Sequence, residues 1–225
     1  MDILNSYINF IFDLDGTLID SMNVWSEVDK RFLNERGIEL TKEYTDKVKS
    51  SAMADSAKFT VERYGLNETP EQVMDIWNSM VYEAYRSRIK LKPGALTFLK
   101  KIVALKEKNP DIRIAVATAL SNKNANAALK ANNIDGLFDV ILTLDDLGGT
   151  IDKTKPDIYI EVLERMGSNK RDKTIVFEDV FAAARGAMDG GFDVCAVYDA
   201  VGSSSDWDEM RALTKFSISD WNQIC

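Results

Sequence analysis

Two aspartates, Asp13 and Asp15, stand one residue apart at the end of the apolar run Phe10-Ile11-Phe12, and Gly16 and Thr17 follow at once. The run reads as a buried strand. Strands of a parallel sheet present their carboxyl ends to the ligand crevice, so both carboxylates would project where ligands bind. Two such groups repel each other unless a proton or a cation lies between them. A hard divalent cation with oxygen ligands, such as Mg²⁺, resolves that conflict. One carboxylate can then attack phosphorus while the other moves a proton.

Three later segments carry matching chemistry. Thr118 closes the apolar stretch Ile112–Ala117 and precedes Ala119-Leu120-Ser121-Asn122. A hydroxyl at a strand end, with the next backbone N–H groups beginning at Ala119, suits a phosphate oxygen. Ser121 or Asn122 would also cap the helix that follows. The segment Asp152-Lys153-Thr154-Lys155-Pro156-Asp157 offers two lysines to neutralise charge between a nucleophile and a phosphoryl group. Glu178-Asp179 ends a further apolar strand, where an acidic pair either caps a helix or completes a metal site.

The elements that must position these groups are legible in the pattern. Ile8–Phe12 is the first expected strand. Ser21 to Arg88 is helical throughout, with an apolar stripe of Val24, Trp25, Val28, Phe32 and Leu33 stopped at Gly37. A second stripe runs from Val73 to Ala84 and is entered through Thr69-Pro70-Glu71. After Lys92-Pro93-Gly94, helices and strands alternate. Helices are expected at 96–105, 124–131, 158–166 and 181–188, and strands at 112–117, 138–142, 174–177 and 194–197, while segments 206–213 and 216–218 close the chain. Such alternation argues for a parallel α/β sheet with right-handed crossovers.

Composition narrows the chemistry further. The chain has 225 residues, 28 Lys+Arg against 36 Asp+Glu, and a net charge of −8. That is a poor electrostatic match to nucleic acid or anionic lipid. There is no histidine. Zinc–histidine sites, Ser-His-Asp triads and phosphohistidine chemistry are therefore excluded. The two cysteines, Cys195 and Cys225, suggest no disulfide framework, and the start of the chain has no secretory signal pattern. No apolar run is long enough to span a bilayer, so a cytoplasmic setting is expected.

Asp13-Leu14-Asp15-Gly16-Thr17, Thr118, the lysine segment and Glu178-Asp179 occur in the order of the four motifs of the haloacid dehalogenase superfamily, which the chain resembles over essentially its whole length. The resemblance is to the helical-cap subgroup of β-phosphoglucomutases and phosphoglycolate phosphatases. It implies a doubly wound, Rossmann-like α/β core at residues 1–19 and 91–225, with a helical cap inserted at 20–90. It implies an Mg²⁺-dependent phosphatase of small phosphorylated metabolites. Asp13 would be the nucleophile, forming an aspartyl-phosphate. Asp15 would be the acid and base, and its carbonyl would bind the metal together with Asp13 and Asp179. Thr118, Ala119 and Lys153 would hold the phosphate, with Thr17 and Glu178 in support. Relatives commonly read Lys-Pro-x-Pro-Asp here. Anchoring on Pro156-Asp157 selects Lys153, whereas the Lys-Pro dipeptide alone would select Lys155.

The chain also departs from the pattern. Val180 and Ala183 stand where a Ser or Thr and a glycine are usual. Trp25 fills the place of a histidine that sugar-phosphate mutases of this subgroup carry on the early cap helix. A mutase remains the alternative reading, and a non-catalytic binding protein on the same fold a further one. Lys47 and Lys49, beside Ser50-Ser51, could contact a sugar or a second phosphate, or simply form a solvated helix face.

Overall fold

The computed structural model describes residues 2–49, 53–148 and 153–224. Ser50, Ser51, Asp152 and Cys225 lie outside them. The chain divides into two compact units, one formed by Met1–Met22 with Ile89–Cys225 and the other by Asn23–Arg88.

The first unit is built on six strands: β1 (Asn9–Phe12), β2 (Arg113–Thr118), β3 (Val140–Thr143), β4 (Thr174–Glu178), β5 (Asp193–Val197) and β6 (Phe216–Ile218). All neighbours are parallel, in the order β3-β2-β1-β4-β5-β6. β1 and β4 are buried along their whole length, as strands covered on both faces must be. That is why their sequences read as apolar runs without alternation. The helices of this unit are α1 (Ile3–Ser6), α6 (Ala95–Lys106), α7 (Asn122–Ala131), α8 (Asp157–Arg165), α9 (Phe181–Asp189) and α10 (Trp207–Leu213). The second unit holds α2 (Val24–Asn34), α3 (Lys42–Lys49), α4 (Met53–Tyr64) and α5 (Pro70–Ser87). This is a doubly wound α/β fold, and its strand order reverses between β1 and β4. Ligand crevices form at such a reversal, outside the carboxyl ends of the strands.

Register makes the reversal chemical. Phe12 of β1 lies opposite Val116 of β2 and Phe177 of β4. The next residues, Asp13 just after β1 and Glu178 at the end of β4, therefore stand side by side. Beneath them the rings of Phe12 and Phe177 stack at 4.7 Å, and Phe98 and Trp221 close the same cluster. Trp221 also donates its indole N–H to the Thr17 carbonyl at 3.1 Å.

Several element ends differ from the sequence pattern for local reasons. β2 starts at Arg113 because Ile112 is held in a turn, its N–H donating to the Asn109 carbonyl at 3.1 Å. β3 starts at Val140 because Asp139 accepts the Ile114 N–H on its side chain, at 2.9 Å, in place of a ladder bond. Helix α1 has four residues, too few to show a period.

Among the described residues, the expected helical block resolves into four helices. Helix α5 begins in a reciprocal cap, with Gln72 N–H donating to Thr69 Oγ1 at 3.3 Å and Thr69 N–H to Gln72 Oε1 at 2.8 Å. Phe32 of α2 and Trp77 of α5 meet edge to face at 5.7 Å. Trp25 is a correction: its flank of α2 faces outward, leaving it 42% exposed rather than part of the buried stripe. Asp29 is half-buried on α2, and burial raises its pKa to about 6.

The chain leaves and re-enters the first unit through paired segments. Asp20 N–H donates to the Lys90 carbonyl at 2.9 Å and Lys92 N–H to the Leu18 carbonyl at 2.8 Å, around an antiparallel bridge of Ile19 and Leu91. Residues 20–22 and 89–92 thus belong with the sheet. No described helix is long and apolar enough to cross a membrane.

Candidate active site

Asp13 follows β1 directly, and its N–H donates to the Phe177 carbonyl at 3.0 Å. Its carboxylate is nearly buried. The loop then turns sharply at Gly16, whose φ of 74° is in the left-handed region that favours glycine. Leu18 and Ile19 both donate backbone N–H groups to the Leu14 carbonyl at 3.0 Å. This turn half-buries Asp15, which accepts a hydrogen bond from the Ser21 hydroxyl. It also points Thr17 inward, so that Thr17 Oγ1 donates to Asp179 Oδ1 at 3.1 Å.

Lys153 reaches this point from the segment before α8. Its Nζ pairs with Asp13 Oδ1 and with Glu178 Oε1, and its side chain is 10% exposed. Burial alone would lower its pKa. Asp13 and then Glu178 more than offset that, and they hold the ammonium above its usual range. Lys155, two residues on, is exposed. The helix start explains the difference, since Pro156 caps α8 and Asp157 opens it. Gly186 of α9 explains the depth. A Cβ there would lie 2.5 Å from the Lys153 carbonyl oxygen, so only a glycine lets the lysine segment cross so close to the helix. The chain lacks a glycine at position 183 but has this one three residues later.

Glu178 is fully buried, with donors on both oxygens. Oε1 faces Lys153 and takes the Tyr159 hydroxyl at 3.0 Å. Oε2 takes the N–H groups of Asp179 at 3.1 Å and Val180 at 3.4 Å. Burial nonetheless raises its pKa. Asp179 is different. Its Oδ1 has Thr17, but Oδ2 is buried without a hydrogen-bond partner. Burial, then the charges of Asp13 and Glu178, raise its pKa.

The donor set fits a hard cation. Asp13, Glu178 and Asp179 each bring one carboxylate oxygen within 4.8 Å of the others. Three carboxylates face one ammonium, and a buried anionic oxygen without a donor is costly unless a cation completes it. Because Glu178 is filled by its own donors, Asp13 and Asp179 are the pair with oxygens to spare.

Thr118 is the last residue of β2 and is buried, while Ala119 is exposed. Leu120 N–H donates to Thr118 Oγ1 at 3.2 Å. Ser121 caps α7, accepting from Asn124 N–H at 3.3 Å. Asp13, Thr17, Lys153, Glu178 and Asp179 are thus brought together at the reversal, with Asp15 on the same loop and Thr118 at the end of the adjoining strand. Trp221 and Gly186 are the supports that spacing did not reveal. A glycine within the otherwise Ala-rich run 182–187 was the available signal for the second.

Comparison with known proteins gives the family. The profile of the haloacid dehalogenase-like hydrolases matches residues 10–197. A phosphorylated carbohydrates phosphatase of Thermotoga maritima is 24% identical over 87% of this chain and 86% of its own. A probable pseudouridine-5'-phosphatase of Saccharomyces cerevisiae is 31% identical over 82% and 79%. A candidate β-phosphoglucomutase structure from Thermotoga maritima superimposes with a TM-score of 0.79 at 20% identity, over 95% of each chain. CbbY of Rhodobacter sphaeroides, solved with phosphate, gives 0.71 at 18% identity, over 97% of this chain and 96% of its own. At such identities the structures speak for the fold. The family profile spans most of the sequence, and the chain belongs to the haloacid dehalogenase-like hydrolases.

Proposed function

We propose that the protein is a phosphatase that hydrolyses a small phosphate monoester, with Mg²⁺ held by Asp13, Asp179 and the Asp15 carbonyl. The observation that carries this reading is the buried Lys153 between Asp13 and Glu178, next to the partnerless Asp179 Oδ2. The metal, when bound, would neutralise phosphate charge.

The protein's own groups do the rest. Lys153 orients Asp13 and adds positive charge where the phosphoryl group gathers negative charge. An Asp13 oxygen attacks phosphorus and the leaving oxygen departs, forming an aspartyl-phosphate. Asp15, poised by Ser21, gives its proton to that oxygen. It then takes a proton from water as the water attacks phosphorus and releases Asp13. Thr118 and the Ala119 N–H hold the other phosphate oxygens. Glu178 and Thr17 keep Lys153 and Asp179 in place. We assign the helical unit the role of cap.

The relatives support a reading of the substrate class. Those named as phosphatases carry the names of phosphatases of phosphorylated carbohydrates, FMN, pseudouridine 5'-phosphate (a probable one) and glycerol 3-phosphate. All are phosphate esters of a polyhydroxylated carbon skeleton, and we assign this chain that class. The mutase alternative is disfavoured by the lack of any histidine.

The test is phosphate release from a panel of sugar, nucleoside and polyol phosphates with Mg²⁺, in wild type and Asp13→Asn. Asp13→Asn should be inactive and folded, because an amide forms no acyl-phosphate. Near-normal hydrolysis by that variant would overturn the mechanism. An isomerised sugar phosphate as the product, without free phosphate, would favour the mutase.

A further inference from the structure

We propose that Lys92 and Asp199, an ion pair that does not touch the catalytic carboxylates, are positioning residues that set the affinity of the metal site. They would act by holding the loop after β5 against Asp179. The inference rests on the reading of Asp179 as a metal-holding group.

The argument starts at Gly202. A Cβ on this residue would overlap Asp179 Oδ2 and lie 3.2 Å from Met22 Cε. Gly202 is not at a positive φ, so the requirement is for space and not for conformation. Gly16 of the nucleophile loop closes on the same oxygen, and a Cβ there would overlap it too. The partnerless oxygen of Asp179 is therefore held between two backbone segments. One of them belongs to the nucleophile loop. The other comes from a loop that no motif singled out.

Asp199 builds that second loop. Its Oδ1 accepts the N–H groups of Val201 at 2.8 Å and Gly202 at 2.9 Å. Its N–H donates to Ser203 Oγ at 2.7 Å, and Ser203 returns backbone and side-chain bonds to the Asp199 carbonyl, each 3.1 Å. The remaining oxygen, Oδ2, pairs with Lys92 Nζ at 2.8 Å, and the same ammonium donates to the Tyr198 carbonyl at 3.0 Å. Both side chains are largely buried, 13% exposed for Lys92 and 7% for Asp199. Lys92 is fixed in turn by its N–H bond to the Leu18 carbonyl, on the nucleophile loop itself. One ion pair thus joins the two segments that enclose Asp179. Groups that orient a metal ligand without touching the metal typically govern affinity by about 10–100-fold.

The experiment is direct titration of the full-length protein with Mn²⁺, following free Mn²⁺ by electron paramagnetic resonance, with circular dichroism as the fold check. Lys92→Met and Asp199→Ala should each raise the Mn²⁺ dissociation constant about tenfold or more, and Lys92→Arg should stay within about threefold of wild type. The double variant should bind no more weakly than the weaker single one, since both act through one loop. Asp179→Asn is the control. If it binds Mn²⁺ like wild type, the metal reading beneath the inference fails. If it loses binding while folded Lys92→Met and Asp199→Ala stay within about twofold of wild type, the inference is overturned and the metal reading stands. Should Asp199→Ala not fold, Lys92→Met against Lys92→Arg decides by the same criterion.

Discussion

Replacing Lys153 by methionine keeps the length of the side chain and removes its charge. The ammonium sits between carboxylates that are 7% and 1% exposed, those of Asp13 and Glu178. Breaking a buried pair by deleting one partner costs about 3–5 kcal/mol, because the other charge is left uncompensated. Here the loss has a ceiling. Burial already raises the pKa of Glu178, so it can take up a proton and neutralise. We therefore place the cost at the lower end, about 3 kcal/mol. For a chain of this size that lowers the melting temperature by about 6–12 °C. Activity should fall further, by about 10²–10³-fold or more in kcat, as when a preorganised donor to transition-state charge is lost. Lys155→Met is the matched control. Its side chain is exposed, so stability should change by less than about 0.5 kcal/mol, with kcat near wild type. Phosphate release under saturating Mg²⁺ and thermal unfolding read both variants. If Lys153→Met keeps kcat within about tenfold of wild type, or Lys155→Met loses as much, the charge argument is refuted.

Other outcomes follow from single contacts. Gly186→Ala adds a methyl that must displace the Lys153 carbonyl. A shift of about 1 Å in a catalytic group can cost about 10²-fold, so kcat should drop by one to two orders of magnitude in a folded protein, and an unchanged kcat would show that the crossing is not tight. Asp29→Asn tests a linkage. The folded pKa of Asp29 is raised to about 6 from 3.8, so its contribution is fully present below pH 3.8 and is lost as pH rises through 6. The asparagine variant should therefore gain up to about 3 kcal/mol of stability above pH 6 and little below pH 4, measured by urea unfolding across pH. A chelator should stop phosphate release, and Mg²⁺ should restore it. Activity that survives thorough chelation would argue against the metal assignment.

The strand ends were legible because β1 and β4 are buried on both faces and spell continuous apolar runs. An acidic residue that ends such a run has few roles other than chemistry or capping. The preference for Lys153 over Lys155 rested on the helix-opening Pro156-Asp157, and that local signal matches the helix start in the structure. Element ends failed by one or two residues where a side chain replaced a ladder bond, as at Asp139. Trp25 failed because a stripe gives a face but not its edge. Gly186, Gly202, Asp199, Lys92 and Trp221 could not be singled out from spacing. They act through contacts 23 to 204 positions away in the chain, such as Gly202 against Asp179 and Trp221 with Thr17.

The paired crossings at Ile19 and Leu91 have a consequence for descent. The helical unit begins and ends where two backbone segments are already hydrogen-bonded to each other, on the sheet's side of the boundary. A recombination event there meets two adjacent splice points and needs no rethreading of the sheet. Longer, shorter or unrelated inserts can be tried at that address while Asp13, Lys153 and Asp179 keep their places. Selection can then vary the helical unit without rebuilding the sheet that carries those groups.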